Sequence, residues 1–274
     1  MKLGCLPVTY FADIREGRMS VQAWLAFARS LGLDGTECSL AFVEPLGPCP
    51  VPTFKAHVEA AGLLVSTITC HPDFCHPDPA ERERQHEDMV RNVQTAAYLG
   101  APLVRVLAGQ EHPDVDREQG IRWVVDGLKR LLDVTPAGVT LAIENHTKSF
   151  FWTYYDFAKS VDVFLEIVRR MRGTGLRVQY DTANPIVVGY DGLALLDEIA
   201  DLVVCVHVND AATPGQFVFV PVGTGIAPIA ESFRRLRRRG YAGWVSIEEA
   251  SRTGESGFRQ AVTYVRQAWA AAAP

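Results

Sequence analysis

The stretch VTLAIENH, residues 139–146, is a β-branched apolar run that stops abruptly on charge. The same event recurs in RVQYDTAN at 177–184, VVCVHVND at 203–210 and WVSIEEA at 244–250. Apolar runs of this kind read as strands buried on both faces, the condition of a parallel sheet covered by helices. Working back toward the N-terminus, further short runs predict strands near Leu3–Pro7, Gly35–Cys38, Leu64–Thr69 and Leu103–Leu107. With Thr140–Glu144, Arg177–Tyr180, Leu202–Val208 and Trp244–Glu248 they make eight. Apolar residues at three- and four-residue spacing predict helices over roughly 19–31, 52–61, 80–99, 117–133, 157–172, 191–199, 228–239 and 256–271, one after each strand. Gly32, Gly62, Gly100 and Gly240 stand just past helical runs, where a left-handed cap turns the chain into the next strand. Alternating strands and helices predict a single α/β domain over 1–274, a (β/α)8 barrel. An open doubly wound sheet would carry a glycine-rich nucleotide loop after its first strand, and Val8-Thr9-Tyr10-Phe11-Ala12 stands there instead.

Bulk composition is that of a globular protein. The chain has 274 residues, 48% hydrophobic and 22% charged, enough to build a large core. A net charge of -5 provides no basic field for a phosphate backbone or an anionic membrane, so neither nucleic acid nor membrane is an expected partner. The first residues, MKLGCLPVTYFADIREG, lack the long apolar run of a signal peptide, and no stretch has a membrane span's length of apolar residues. The expected location is the cytoplasm, with the six cysteines as reduced core thiols.

A barrel gathers the residues that end its strands at one rim, where barrel enzymes place their chemistry. The last four predicted strands bring Glu144, Asp181, His207 and Glu248 to that rim. Carboxylates converging in a low-dielectric site repel one another unless a cation compensates them. Three carboxylates and an imidazole make a hard donor set suited to Mn2+ or Mg2+, with Co2+ or Zn2+ also compatible with the histidine. A single strand-end acid reads more readily as a helix cap or salt bridge than as a ligand; four in succession favour a metal. Glu249 competes with Glu248, because alternation sends neighbouring side chains to opposite faces and the residues alone do not say which face is inward.

The ordered motifs IENH at 143–146, YDTAN at 180–184, VHVND at 206–210, PVGTG at 221–225 and VSIEE at 245–249 resemble the xylose isomerase-like TIM-barrel superfamily, along nearly the whole chain. That resemblance implies a single divalent metal ion held by Glu144, Asp181, His207 and Glu248, and it selects Glu248 over Glu249. It also implies a sugar isomerase or epimerase acting on a small polyhydroxy carbonyl compound. Glu144 and Glu248 would act as the acid/base pair, exchanging protons across the substrate through a metal-stabilised enediolate. A dehydratase of the inosose dehydratase type, or a non-catalytic carbohydrate-binding barrel, is the alternative on the same scaffold.

Second-tier candidates for substrate contact are His146, Asn184, Asp210, His71, Arg105 and Trp152. Asp210 is also placed to orient His207 or a neighbour, and Arg105 is expected to pair with Glu37 inside the barrel. Asn184 departs from the histidine usual in ketose 3-epimerases and from the histidine ligand of endonuclease IV. With only seven histidines, the three-zinc site of that nuclease is not expected. The repeated CHP at 70–72 and 75–77 reads as a proline loop rather than a zinc knuckle. The segment TKSFFWTYYDF, 147–157, is unusually aromatic for a loop. It is expected to form a lid or pocket wall, or to bury against another subunit of a homo-oligomer, in either case shielding Trp152, Tyr154 and Tyr155 from solvent.

Overall fold

In the computed structural model of the chain, which describes residues 1–273, eight strands form one parallel sheet. They are β1 (Lys2–Leu6), β2 (Gly35–Ser39), β3 (Leu64–Thr69), β4 (Leu103–Val106), β5 (Thr140–Glu144), β6 (Arg177–Asp181), β7 (Val203–Val208) and β8 (Trp244–Glu248). Their order, β1-β8-β7-β6-β5-β4-β3-β2, curls the sheet back on itself. Asp34 closes the seam between β1 and β2: its amide donates to Leu3 O at 2.9 Å and its Oδ2 accepts from Leu3 N at 2.8 Å. The fold is a nearly closed (β/α)8 barrel, as the alternating pattern predicts.

Ten helices surround or cap it: α1 (Phe11–Arg15), α2 (Val21–Ser30), α3 (Val51–Ala60), α4 (Pro79–Leu99), α5 (Arg117–Val134), α6 (Val161–Met171), α7 (Asn184–Val187), α8 (Gly192–Ile199), α9 (Ile229–Arg238) and α10 (Glu255–Ala271). Eight match the helices expected from spacing; α1 and α7, short pieces in the loops after β1 and β6, do not announce themselves through periodicity. Side chains of Ser20, Asp78, Asp116 and Asp191 cap α2, α4, α5 and α8 by accepting first-turn amides. Gly32, Gly62, Gly100 and Gly240 all have positive φ, as their places past helix ends require. No helix among the described residues is long and apolar enough to cross a membrane.

The main core lies between the barrel wall and the helix ring, with α6, for example, burying Val161, Phe164, Ile167, Val168 and Met171 at three- and four-residue spacing. At one end of the barrel Leu103, Cys205 and Trp244 form a separate small apolar cluster. Above them, toward the C-terminal strand ends, the buried side chains become polar: Ser66, Ser246, Gln179, Glu37 and Arg105. Two register shifts interrupt the wall, between Thr36 and Glu37 in β2 and between Val178 and Gln179 in β6. Such irregularities re-aim side chains, and both precede residues that reach His207. All six cysteines are buried and unbridged, and burial pushes the thiols of Cys5, Cys38, Cys70, Cys75 and Cys205 up.

One close approach ties the helix ring to the aromatic loop. A Cβ on Gly120 in α5 would stand 2.3 Å from the Phe157 ring, so only glycine admits that ring against the helix. Gly120→Val should therefore destabilise the protein by about 1–3 kcal/mol in urea unfolding, overpacking outweighing the gain in helix propensity. Unchanged or raised stability would show that the ring is free to leave.

Candidate metal centre

Glu144, Asp181 and His207 end or nearly end β5, β6 and β7, and each offers one ligand atom within 4.8 Å of the others. All are buried. Glu144 Oε1 lies 2.8 Å from His207 Nδ1, but the two are not aligned as a hydrogen bond. Those two atoms and Asp181 Oδ2 are buried without any hydrogen-bonding partner. Three orphaned donors of metal-ligating type, aimed at one place, would each carry a desolvation penalty if nothing bound there. Their chemistry fits a divalent cation.

The surroundings prepare these atoms. His207 Nε2 lies 2.7 Å from Glu37 Oε1, so that carboxylate accepts the Nε2 proton and leaves the Nδ1 lone pair for a ligand. Gln179 Nε2 approaches the same ring nitrogen at 3.0 Å. Asp181 Oδ1 accepts the amides of Ala183 (2.8 Å) and Asn184 (2.6 Å), capping the turn into α7 and turning Oδ2 into the site. Asn145 clamps the Asp181 backbone, its Nδ2 donating to Asp181 O at 3.0 Å and its Oδ1 accepting from Asp181 N at 2.9 Å.

Electrostatics sharpen the picture. Burial alone would raise the Glu144 carboxyl, but His207 and Arg105 beside it prevail and hold it down at about 2. Burial, with Glu248 and Glu144 nearby, pushes Asp181 well above the usual carboxylate range. His207 is depressed by burial yet raised overall, because Glu37 and Glu144 face it. In the absence of a cation, protons therefore do part of the work of charge compensation.

Glu248 and Glu249 take opposite faces. Glu248 points into the barrel, accepts from Asn209 Nδ2 at 3.0 Å and stands 3.9 Å from His207 Nδ1, its side chain 17% exposed. Glu249 is buried outside the barrel, where Thr9 Oγ1 and the Ser251 amide and hydroxyl donate to it. Glu248 is thus the rim residue, at the edge of the triad rather than within its tightest grouping.

The second-tier candidates divide. Arg105 does not pair with Glu37: its Nε lies 3.4 Å from Glu144 Oε2, its Nη1 donates to Cys70 O at 3.0 Å, and its Nη2 lies 3.2 Å from His71 Nε2. Glu37 instead accepts from His207 Nε2, following the register shift that precedes it in β2. Burial and the neighbouring Arg105 and His146 push His71 down, which suits it to accept from Arg105. His146 Nδ1 sits 3.2 Å from Asp156 Oδ2, deep at the base of the aromatic loop. Asn184 Oδ1 accepts from Thr147 Oγ1 at 2.7 Å, tying the loops after β5 and β6 together.

Asp210 is not an orienter of His207. Its two oxygens accept the amides of Ala211, Gly223, Gly225 and Ala227 at 2.9–3.0 Å, folding the PVGTG loop around a carboxylate. A Cβ on Gly225 would lie 2.3 Å from Asp210 Oδ1, so the glycine permits this cradle. Those amides are consequently not free to hold an anion.

The aromatic loop crosses the mouth from β5 toward the far side of the ring. Phe150 packs on Phe11 at 5.8 Å and lies 5.4 Å from the Arg15 guanidinium, while Phe151 sits 4.9 Å from His71. Trp152, 9% exposed, stands edge-on between His71 and His146, at 6.4 and 6.0 Å. Lys148 Nζ stitches the turn by donating to the carbonyls of Trp152, Thr153 and Tyr154. Tyr154 and Tyr155 depart from expectation, remaining 39% and 46% exposed on the outer side of this strap. The CHP repeat is loop, and among the described residues the only metal-type cluster is Glu144, Asp181 and His207.

Sequence reasoning did not assign the roles of Asn145, Gln179, Asp156 and Asn209, and it paired Glu37 with Arg105 rather than with His207. Glu37 carried a signal, an acid inside an apolar strand, as did Gln179, two residues before Asp181 and on its face. Asn145, Asp156 and Asn209 had none beyond proximity to a motif.

Comparison with known proteins agrees with the geometry. The family model described as xylose isomerase-like TIM barrel matches residues 25–268. The chain is similar to L-ribulose-5-phosphate 3-epimerase UlaE of Escherichia coli O157:H7, 27% identical over 242 residues, covering 84% of this chain and 82% of that protein. In fold it resembles 3-keto-D-glucoside 4-epimerase YcjR from E. coli, with a TM-score of 0.77 at 18% identity over 97% of this chain and 99% of the other. It likewise resembles the IOLI protein with a binding zinc atom, with a TM-score of 0.80 at 16% identity over 99% of each chain. With the barrel, its strand-end residues and a match across most of its length in agreement, the chain belongs to the xylose isomerase-like TIM barrel family.

Proposed function

We propose that the protein is a divalent-metal-dependent epimerase or isomerase acting on a sugar or related α-hydroxy carbonyl compound. The observation that carries this reading is the set of three orphaned ligand atoms on Glu144, Asp181 and His207, with Glu248 beside them at the open side. The similarity to a pentulose phosphate 3-epimerase over 84% of the chain supports the sugar substrate class.

A bound divalent cation supplies the positive charge that makes a C–H next to a carbonyl acidic enough for a carboxylate to remove. Mn2+ or Mg2+ suits the carboxylate majority, and Co2+ or Zn2+ the imidazole. Glu144, held ionised by Arg105 and His207, is the base on one side of the substrate. Glu248, partly exposed and steadied by Asn209, returns a proton from the other. His71, Arg105, His146 and Trp152 line the approach and orient the substrate, and the strap over the mouth excludes water. Asn184 and Asp210 support the loops rather than touch the reacting atoms. A dehydratase would begin with the same deprotonation. The buried His146–Asp156 pair, a further proton-transfer group at the mouth, is the observation that favours it, and a product lighter by one water identifies it.

Exchange of a substrate C–H with deuterated solvent is expected for the metal-loaded protein on a panel of ketoses and hydroxy-carbonyl acids. Glu144→Gln should slow it by about 10²–10⁴-fold. Wild-type protein that turns a substrate over without exchange would refute the proton-transfer mechanism.

Metal content, read by elemental analysis, should vanish in Asp181→Ala and His207→Ala. Affinity should fall as pH is lowered: Asp181 and His207 are both raised, so each holds its proton to higher pH, and a cation must displace those protons to bind. Affinity independent of pH, or metal retained in both variants, would place the ion elsewhere.

Glu37→Ala should weaken metal affinity about 10–100-fold by calorimetry, since His207 loses the partner that orients it. Glu37→Gln should recover part of that loss. An unchanged affinity in Glu37→Ala would show that the barrel wall alone holds the ring.

A further inference from the structure

A groove of about 710 Å3 runs from His71 and Trp152 outward between the loop after β2 and the flank of α4. Its inner end lies two contacts from the metal centre: Arg105 is 3.2 Å from His71 Nε2 and 3.4 Å from Glu144 Oε2. Drug-sized ligands occupy cavities of roughly 300–1,000 Å3. A single sugar reacting between Glu144 and Glu248 would reach only the inner end.

The lining indicates what could fill the remainder. Phe151 and Trp152 offer flat apolar faces at the inner end, while Asn92 and Thr95 on α4 add neutral polar groups farther out. Four carboxylates, Glu44, Asp73, Glu81 and Asp88, outnumber the two guanidiniums, Arg84 and Arg91. Both guanidiniums are already engaged, Arg84 with Glu81 and Asp88, and Arg91 with Asp88. The neighbouring N-terminus of α4 is capped by Asp78. A phosphate would meet net negative charge and no free cation on this lining, whereas a sugar's hydroxyl groups donate to Glu44, the lining carboxylate that accepts from no other side chain, and its C–H face stacks on the aromatics.

We propose that the groove is a subsite for a neutral, hydroxylated substituent of the substrate, a second sugar ring in the simplest case. The preferred substrate is then a keto sugar carried as a glycoside rather than a free or phosphorylated ketose. This rests on the proton-transfer reading of the same site and adds which end of the substrate the protein selects.

The test follows solvent-deuterium exchange next to the carbonyl with manganese-loaded protein, on stereoisomer panels of methyl keto-glycosides, keto-disaccharides and ketose phosphates. The best keto-disaccharide should exceed the other two classes in kcat/KM by about tenfold or more, equivalent to roughly 1.4 kcal/mol. Asn92→Trp and Thr95→Trp fill the groove from α4 without touching the metal centre. Each should bring the disaccharide down to the level of the methyl glycoside and leave the latter unchanged. Equal use of all three classes, a preference for the phosphate, or a disaccharide preference that survives both tryptophans would overturn the subsite. Absence of exchange on all three panels would instead overturn the proton-transfer reading itself.

Discussion

Like charges brought together out of water set the terms for this barrel's upper end. Glu144, Asp181, Glu248 and Glu37 converge on His207 with almost no solvent to screen them. Repulsion at such distances in a low dielectric is strong enough to require compensation. Arg105 supplies some, and the raised Asp181 and His207 express the remainder as proton uptake while Glu144 stays ionised. A cation in place of those protons would satisfy the orphaned atoms and the charge together. The metal-dependent reading therefore rests on the energetics of this donor set as well as on its likeness to a family.

The architecture meets the constraint by dividing labour along the strands. The barrel floor is apolar and packed, so the polar layer above it has a rigid base. Register shifts in β2 and β6 aim Glu37 and Gln179 at His207, while Asn145 fixes the backbone of Asp181. Asp210 serves a different end, organising the loop after β7 by taking up four backbone amides. Chemically similar acids in neighbouring motifs thus acquire unrelated duties according to whether backbone N–H groups or other ionisable side chains surround them.

Over this layer lies the strap from β5. Its aromatic residues contact the loop after β1 across the ring, shield the triad, and leave the groove beside α4 as an outward path. Covering the centre in this way strengthens every electrostatic interaction beneath it. Tyr154 and Tyr155 stay outside because Lys148 gathers the carbonyls of 152–154 inward and turns the two rings toward solvent.

Much of this was legible in the chain alone. Strand and helix periodicity, glycine caps and acids at strand ends are local signals, and local signals were enough for the barrel and for Glu144, Asp181 and His207 as rim candidates. Glu248 and Glu249 were inseparable on local grounds, since alternation names two faces without saying which is inward; the family likeness chose, and closure of β8 against β1 agrees. The partners of Arg105, Glu37 and Asp210 belonged to the tertiary structure altogether. Arg105 and Glu37 sit on different strands, and a one-residue register shift decides which acid meets which cation. Asp210 meets amides up to seventeen residues away, through a loop whose path only the folded chain defines. Sequence by itself determined which strand ends carry acids to the rim, because strand period and strand ends are properties of neighbours along the chain. What each rim residue touches was decided by the fold, because pairing across a closed barrel depends on register, and register is a property of the whole sheet.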